Sequence, residues 1–359
     1  MRICFIGPAN SSHIEKWCDW FSSHGHEIHV ISFTPGNLPN AAIHLIDVGI
    51  DVKGNDASKL KYLLMGGRIR KLIHRIRPDI VNAHYASSYG VATALSGAKN
   101  YVLSIWGSDI YEFPNKSPLH KLLLKYSLNR AGHLFSTSKA MAIEAGKYTE
   151  KDFDITPFGV DMELFDPIKR NRNDNDGFIV GTVKSLSDNY GIRYILEAVA
   201  EVKREGEIPV RLRIAGKGPQ EEEYRKLADD LGIADITSWL GFISQTEAAV
   251  EWANMDLAII PSESESFGVS AVEAQSCGTA VIISDIPGLM EATNPGVTSR
   301  VVPRKDPVAI AGAIKDLYRD TETRKKMGIE GRKYVRANYE IDRCFQHIEE
   351  IYLQIKDSK

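Results

Sequence analysis

Glu265 and Glu273 stand either side of seven residues in the stretch PSESESFGVSAVEAQSCGTAVIISD, Pro261 to Asp285. Carboxylates accept hydrogen bonds from hydroxyls, and sugars are covered in hydroxyls. Between the two acids, Phe267-Gly268-Val269 opens a short helical pattern. A helix start presents free N–H groups and the positive end of a dipole, so it attracts anions. Gly268 has no Cβ, which lets a phosphate or a sugar approach the backbone. The chemistry these types and spacings suit is the holding of a sugar diphosphate, with its hydroxyls on Glu265 and Glu273. Lys184, at the end of an apolar run, is a cation of the kind that neutralises a departing diphosphate. The plainer alternatives stay open: a solvated acidic loop before an ordinary helix, and a surface lysine.

Other chemistry-bearing residues fall after apolar runs in the first half. Gly7-Pro8-Ala9-Asn10-Ser11-Ser12-His13 follows the first run and precedes a helical pattern, without the G-x-G-x-x-G of a dinucleotide turn. His84 lies in N-A-H-Y-A-S-S-Y-G, and Trp106-Gly107-Ser108-Asp109 follows the next run. Each is either a ligand contact or a structural residue. Asp109 suits orienting an acceptor hydroxyl and equally suits bonding its own turn.

The elements that would position these residues read as an alternation of short apolar strands and helices, the pattern of parallel α/β sheets. Strands are expected near 3–6, 28–33, 43–46, 80–82, 101–105, 133–136 and 154–157 in the first half. In the second they fall near 178–183, 211–215, 236–240, 257–260, 280–283 and 300–302. Residues 166–177 are polar and aperiodic, so the linker is placed there. Two Rossmann-like domains facing each other across a cleft are the simplest architecture for 359 residues. Residues 1–165 carry 18 Lys+Arg against 15 Asp+Glu, and residues 166–359 carry 26 against 32, which sums to the net −3 of the chain. Neither half is basic enough to suggest nucleic acid. The four cysteines lack metal or disulfide spacing, which suits a reducing cytoplasm. No signal peptide and no membrane span are expected, and the localisation expected is cytoplasmic.

The run E-S-F-G-V-S-A-V-E-A-x-x-C-G-T-A-V resembles the two-glutamate motif of the family-4 retaining glycosyltransferases. The resemblance implies the GT-B fold: a 1–165 acceptor domain, a 166–339 nucleotide-sugar domain, and a last helix, from about 340, crossing back to the first. It implies that Glu265 contacts the donor sugar and Glu273 the nucleotide ribose, with Phe267, Gly268 and Val269 beside them. Thr156-Pro157-Phe158-Gly159-Val160-Asp161, with Phe165-Asp166-Pro167, is similar to the family's inter-domain segment. The loops Ala215–Pro219 and Leu240–Ile243 correspond to borders of the nucleotide, with backbone at Ile243 reading the base edge. Gly7 is placed near the donor sugar, and His13, His84 and Trp106 near the acceptor. Two departures stand out. Many members have His where this chain has Trp106. The second diphosphate cation, five residues after Lys184, is Asn189 here, with Arg193 the nearest substitute.

The activity implied is a metal-independent, retaining transfer of a hexosyl or N-acetylhexosaminyl group. The donor is a nucleotide-diphosphate sugar, a UDP-sugar for preference, and the acceptor a glycan or polyprenyl-linked lipid of polysaccharide biosynthesis. Glu265, Lys184 and Asp109 would carry the chemistry, with no metal and no cofactor. A sugar-nucleotide epimerase of the same fold and a silent sugar-nucleotide binder stay open. Two basic stretches, 59–77 with seven Lys/Arg and no acid, and the Leu-rich 120–130, read either as sheet cover or as a peripheral contact with anionic lipid at the inner membrane face.

Overall fold

A computed structural model describes residues 1–47, 60–172 and 176–358. Lys59 of the basic stretch and residues 173–175 of the expected linker lie outside them. The chain divides into two compact units, one of residues 1–158 with the chain from Cys344 onward, the other Gly159–Arg343.

The first unit carries seven strands: β1 (Arg2–Ile6), β2 (Glu27–Ser32), β3 (Ala42–Leu45), β4 (Ile80–His84), β5 (Val102–Ile105), β6 (His133–Ser136) and β7 (Asp154–Ile155). They form one parallel sheet in the order β3-β2-β1-β4-β5-β6-β7. Central strands such as Ile3–Ile6 and Val102–Ile105 are buried on both faces, because crossover helices cover the sheet. The order reverses between β1 and β4, and the loops leaving those two strands carry Gly7 and Tyr85. Such a reversal opens a crevice at the carboxyl ends of the strands, where α/β sheets bind ligands.

The second unit carries β8 (Phe178–Val183), β9 (Val210–Ala215), β10 (Thr237–Gly241), β11 (Leu257–Ile260), β12 (Ala280–Ser284) and β13 (Ser299–Val302). The order is β10-β9-β8-β11-β12-β13, again parallel. Its reversal falls between β8 and β11, which end at Val183 and Ile260. Lys184 and the Pro261–Gly268 loop therefore leave the sheet at the switch point.

The change of unit at 158/159 precedes the expected 165/166. Residues 159–165 are held by the second unit: Val160 bridges Glu340, and the Phe165 carbonyl accepts from Ser276 Oγ at 2.7 Å and Arg332 Nη1 at 3.0 Å. The closing helix Ile341–Asp357 packs in the first unit from Cys344 on. Phe345 lies against Trp17, Trp20 and Phe21, and Asn82 Nδ2 donates to Tyr352 Oη at 2.6 Å.

Candidate active site

In the second unit, Lys184 follows β8 and its Nζ lies 2.5 Å from Glu265 Oε2. Both side chains are only 11% exposed, so the pair is largely shielded from water. The ammonium also sits 4.4 Å from the centre of the Tyr190 ring. Burial alone would lower the Lys184 pKa, but Glu265, Tyr190 and Glu273 outweigh it, and the net shift is upward. Lys184 is therefore held as a cation.

Helix Val269–Ser276 starts at Gly268, whose φ of 96° is the left-handed conformation that favours glycine. Ser270 Oγ donates to the Val183 carbonyl at 3.1 Å, tying the helix start to the end of β8. The N–H groups of Val269 and Ser270 precede the first intrahelical bonds, so they face the same end as Lys184. Glu273 lies one turn further on and accepts from Trp252 Nε1 at 3.3 Å. A cation, a helix start and two carboxylates are thus gathered at one sheet edge. Gly216 N–H donates to the Gly241 carbonyl at 2.7 Å, joining the loops after β9 and β10. Half-exposed Ile243 and exposed Lys217 lie on those loops.

Several expected contacts are corrected. A Cβ on Gly268 would lie 2.7 Å from Leu289 Cδ2, so its missing side chain makes room for Leu289. Phe267 is 2% exposed with its ring against Tyr339, which leaves only its backbone to a donor. Arg193 pairs with Glu223 on the neighbouring helix and does not replace the missing cation. Asn189 instead shapes the loop: its carbonyl accepts from Glu263 N–H at 2.8 Å.

In the first unit the structure brings His13, His84 and Trp106 together, but as a packed aromatic cluster. His84 has no exposed surface and lies 4.9 Å from both Trp17 and Trp106. Neither of its ring nitrogens has a partner among the described residues. Burial, with His13 adding, lowers its pKa to about 3, so the ring is neutral. His84 is therefore not an acceptor contact. His13 stacks on Phe158 at 4.0 Å, and burial, then Lys16, lowers its pKa to about 4. Trp106 is 6% exposed. Gly7 lies against His84 and Ile14, where a Cβ would come within 3.4 Å and 3.0 Å.

Asp109 is corrected from a catalytic to a structural residue. It is 1% exposed, and its carboxylate accepts from the N–H groups of Ala86 at 2.8 Å, Gly107 at 2.8 Å and Trp106 at 3.1 Å. Burial raises its pKa, and those N–H groups pull against the rise. It joins the loops after β4 and β5 and has no surface for an acceptor hydroxyl.

Sequence reasoning missed Tyr190, Ser270 and Gly288. A Cβ on Gly288 would lie 2.3 Å from the Glu265 carbonyl, so this glycine lets the Glu265 loop close on helix Pro287–Ala292. Its place after Pro287 marked a turn, and only the fold reveals what that turn touches.

Two family models match: "Glycosyl transferase 4-like" over residues 2–138 and "Glycosyl transferases group 1" over residues 166–334. The chain is 30% identical over 210 residues to D-inositol 3-phosphate glycosyltransferase of Paenarthrobacter aurescens, a match of 55% of this chain and 52% of that one. It thus spans about half the length of that relative. Among solved structures it resembles sucrose-phosphate synthase from Thermosynechococcus elongatus, with a TM-score of 0.86 at 18% identity, covering 100% of both chains. It also resembles Anabaena HepE in complex with UDP-glucose, with a TM-score of 0.80 at 18% identity, covering 99% of this chain and 100% of that one. The chain belongs to the family-4 GT-B glycosyltransferases.

Proposed function

We propose that this glycosyltransferase moves a sugar, with retention, from a UDP-sugar to a glycan or polyprenyl-linked acceptor. The observation that carries the reading is the Lys184–Glu265 pair beside the start of helix Val269–Ser276. The diphosphate sits over the helix start with Lys184 on its oxygens. Glu265 takes a sugar hydroxyl and Glu273 the ribose. In the transfer, the bond from the anomeric carbon to the diphosphate oxygen breaks and the acceptor oxygen bonds to that carbon. The acceptor proton leaves with the diphosphate. Negative charge develops on the leaving group, where a fixed cation and helix N–H groups stabilise it without reorganisation. The UDP-glucose bound by the HepE neighbour supports the choice of base.

The test is UDP release. A transferase releases UDP mainly when an acceptor is added. An epimerase converts the donor with no acceptor, and a silent binder does neither. A screen of nucleotide sugars for thermal stabilisation identifies the donor first, because ligand raises apparent stability by mass action.

A lipid-linked acceptor would be met at a membrane surface, and the first unit has a face suited to that. On helix Pro118–Arg130, Leu119, Leu122 and Tyr126 are 50%, 64% and 39% exposed at i, i+3 and i+7, with Lys121 and Lys125 beside them. Arg68, Lys71 and Arg75 are exposed on helix Gly66–Ile76. Among the described residues no helix is long and apolar enough to cross a membrane. Each cation near an anionic surface contributes about 1 kcal/mol, and salt screens it. The expected result is flotation with anionic and not neutral liposomes, lost when Arg68, Lys71, Lys121 and Lys125 become Gln. Equal recovery with both liposomes would reduce these helices to sheet cover.

A further inference from the structure

The second unit has a cavity on the edge opposite Lys184. About 590 Å³ in volume, it is lined at the amino ends of β8, β11 and β12 by Phe178, Asp256 and Ala280. β8 is six residues long, so the cavity is on the order of 20 Å from the donor cluster. Arg170, Arg172, Arg324 and Lys325 all line it, and Asp256 is the single carboxylate lining it among the described residues. That carboxylate is already committed. Arg172 Nη2 holds its Oδ2 at 2.5 Å, Ile179 N–H donates to the same oxygen at 2.9 Å, and Arg170 Nη2 lies 3.6 Å from Oδ1.

Arg170 and Arg172 share Asp256, Arg324 Nη1 donates to the Leu317 carbonyl at 2.5 Å, and Lys325 Nζ lies 3.9 Å from Glu322, outside the cavity lining. The Arg172 side chain is 8% exposed, and its Nε has no partner among the described residues. Burial lowers the Arg324 pKa, and Arg170 and Arg172 lower it further against the pull of Asp256. One wall is aromatic: the Phe178 and Tyr318 rings meet edge-on at 5.0 Å, and the Arg324 guanidinium carbon stands 4.9 Å from the Phe178 centre. A smaller hollow of about 280 Å³ shares Pro167 and Gly278 and adds Lys333 and Arg336. Guanidinium groups match phosphate oxygens in pairs, and a volume of this size suits a small organic ligand.

We propose that this cavity binds a phosphorylated small molecule at a site separate from the donor site. The arginines and Lys325 hold the phosphate, and the partly exposed Tyr318 ring, backed by Phe178, takes the organic part. Nothing in the donor chemistry requires such a site, so it serves as a second place where a metabolite bears on the same domain.

Isothermal titration with glucose 6-phosphate and with inorganic phosphate, at matched ionic strength and with saturating UDP present, tests it. The expected result is one saturable site per chain that UDP does not displace, with glucose 6-phosphate the tighter probe. Arg170→Gln with Lys325→Gln should weaken it at least tenfold. Lys325→Gln alone, at a position 67% exposed, should weaken it less and guards against a folding defect in the double variant. Absence of saturable heat, displacement by UDP, or unchanged affinity in both variants would overturn the site. Inorganic phosphate binding as tightly as glucose 6-phosphate would overturn the role given to the aromatic wall.

Discussion

At the scale of residues, Lys184 and Glu265 neutralise each other across 2.5 Å in a shielded place. A bound donor would divide them, the ammonium to the diphosphate and the carboxylate to the sugar. Lys184→Ala should therefore lower turnover on the order of 10²-fold or more, as loss of one charge-stabilising group does. Glu265→Gln keeps the shape and loses the charged hydrogen bond, so turnover should fall strongly there too. Wild-type turnover and donor affinity in both variants would remove these roles. His84 makes a different prediction. Its folded pKa of about 3 lies below the ordinary 6.5, so below pH 6.5 the unfolded chain takes up a proton that the folded chain refuses. Stability contributed by this site is complete above pH 6.5 and falls as pH drops toward 3. The loss reaches about 2 kcal/mol by pH 5. His84→Phe should then lose less stability between pH 7 and pH 5 than the wild type, read from urea midpoints. Identical losses would show that the acid sensitivity lies elsewhere.

At the scale of elements, placement of the site depends on glycines whose missing Cβ atoms let segments touch. Gly288→Ala would set a Cβ 2.3 Å from the Glu265 carbonyl and push that loop off its helix. Gly312, inside helix Pro307–Arg319, has nothing within 4 Å of a built Cβ, so Gly312→Ala should stabilise by up to about 1 kcal/mol. The expected contrast is a fall in donor affinity with Gly288→Ala and none with Gly312→Ala, measured by titration with the UDP-sugar donor. Equal donor affinity in the two variants would mean the Glu265 loop is not held by this contact. The same contrast explains what could be read from the chain. The strand runs, the helix start at Gly268 and the Lys184–Glu265–Glu273 set were legible, because each is a local pattern of apolar runs, glycine and charge. The Tyr190 ring against Lys184, the Leu289 that fills the space over Gly268, and the Ala86 N–H on Asp109 were not. The Leu289 and Ala86 contacts join segments separated by a strand or a helix, and Tyr190 reaches Lys184 only through the conformation of the loop between them, which no local spacing encodes. Burial likewise separated His84 and Phe267 from the residues a ligand can reach, and burial is a property of the folded sheet.

At the scale of the whole molecule, each unit has its own apolar core, one gathered around β4 and β5 and the other around β8 and β9. The last helix packs in the first unit from Cys344 on although the chain reaches it through the second. Phe345 is fully buried among Trp17, Trp20 and Phe21, so Phe345→Ala removes a large side chain from the first unit alone. Such a truncation costs about 3–5 kcal/mol. The proposed nucleotide site lies in the other unit, and a ligand there stabilises only the unit that binds it. Calorimetry should therefore show two transitions. Phe345→Ala should lower one of them, and UDP should raise the other, in the variant as in the wild type. A single transition that moves with both changes would mean that the two cores melt together, and that the closing helix stabilises the nucleotide unit as much as its own.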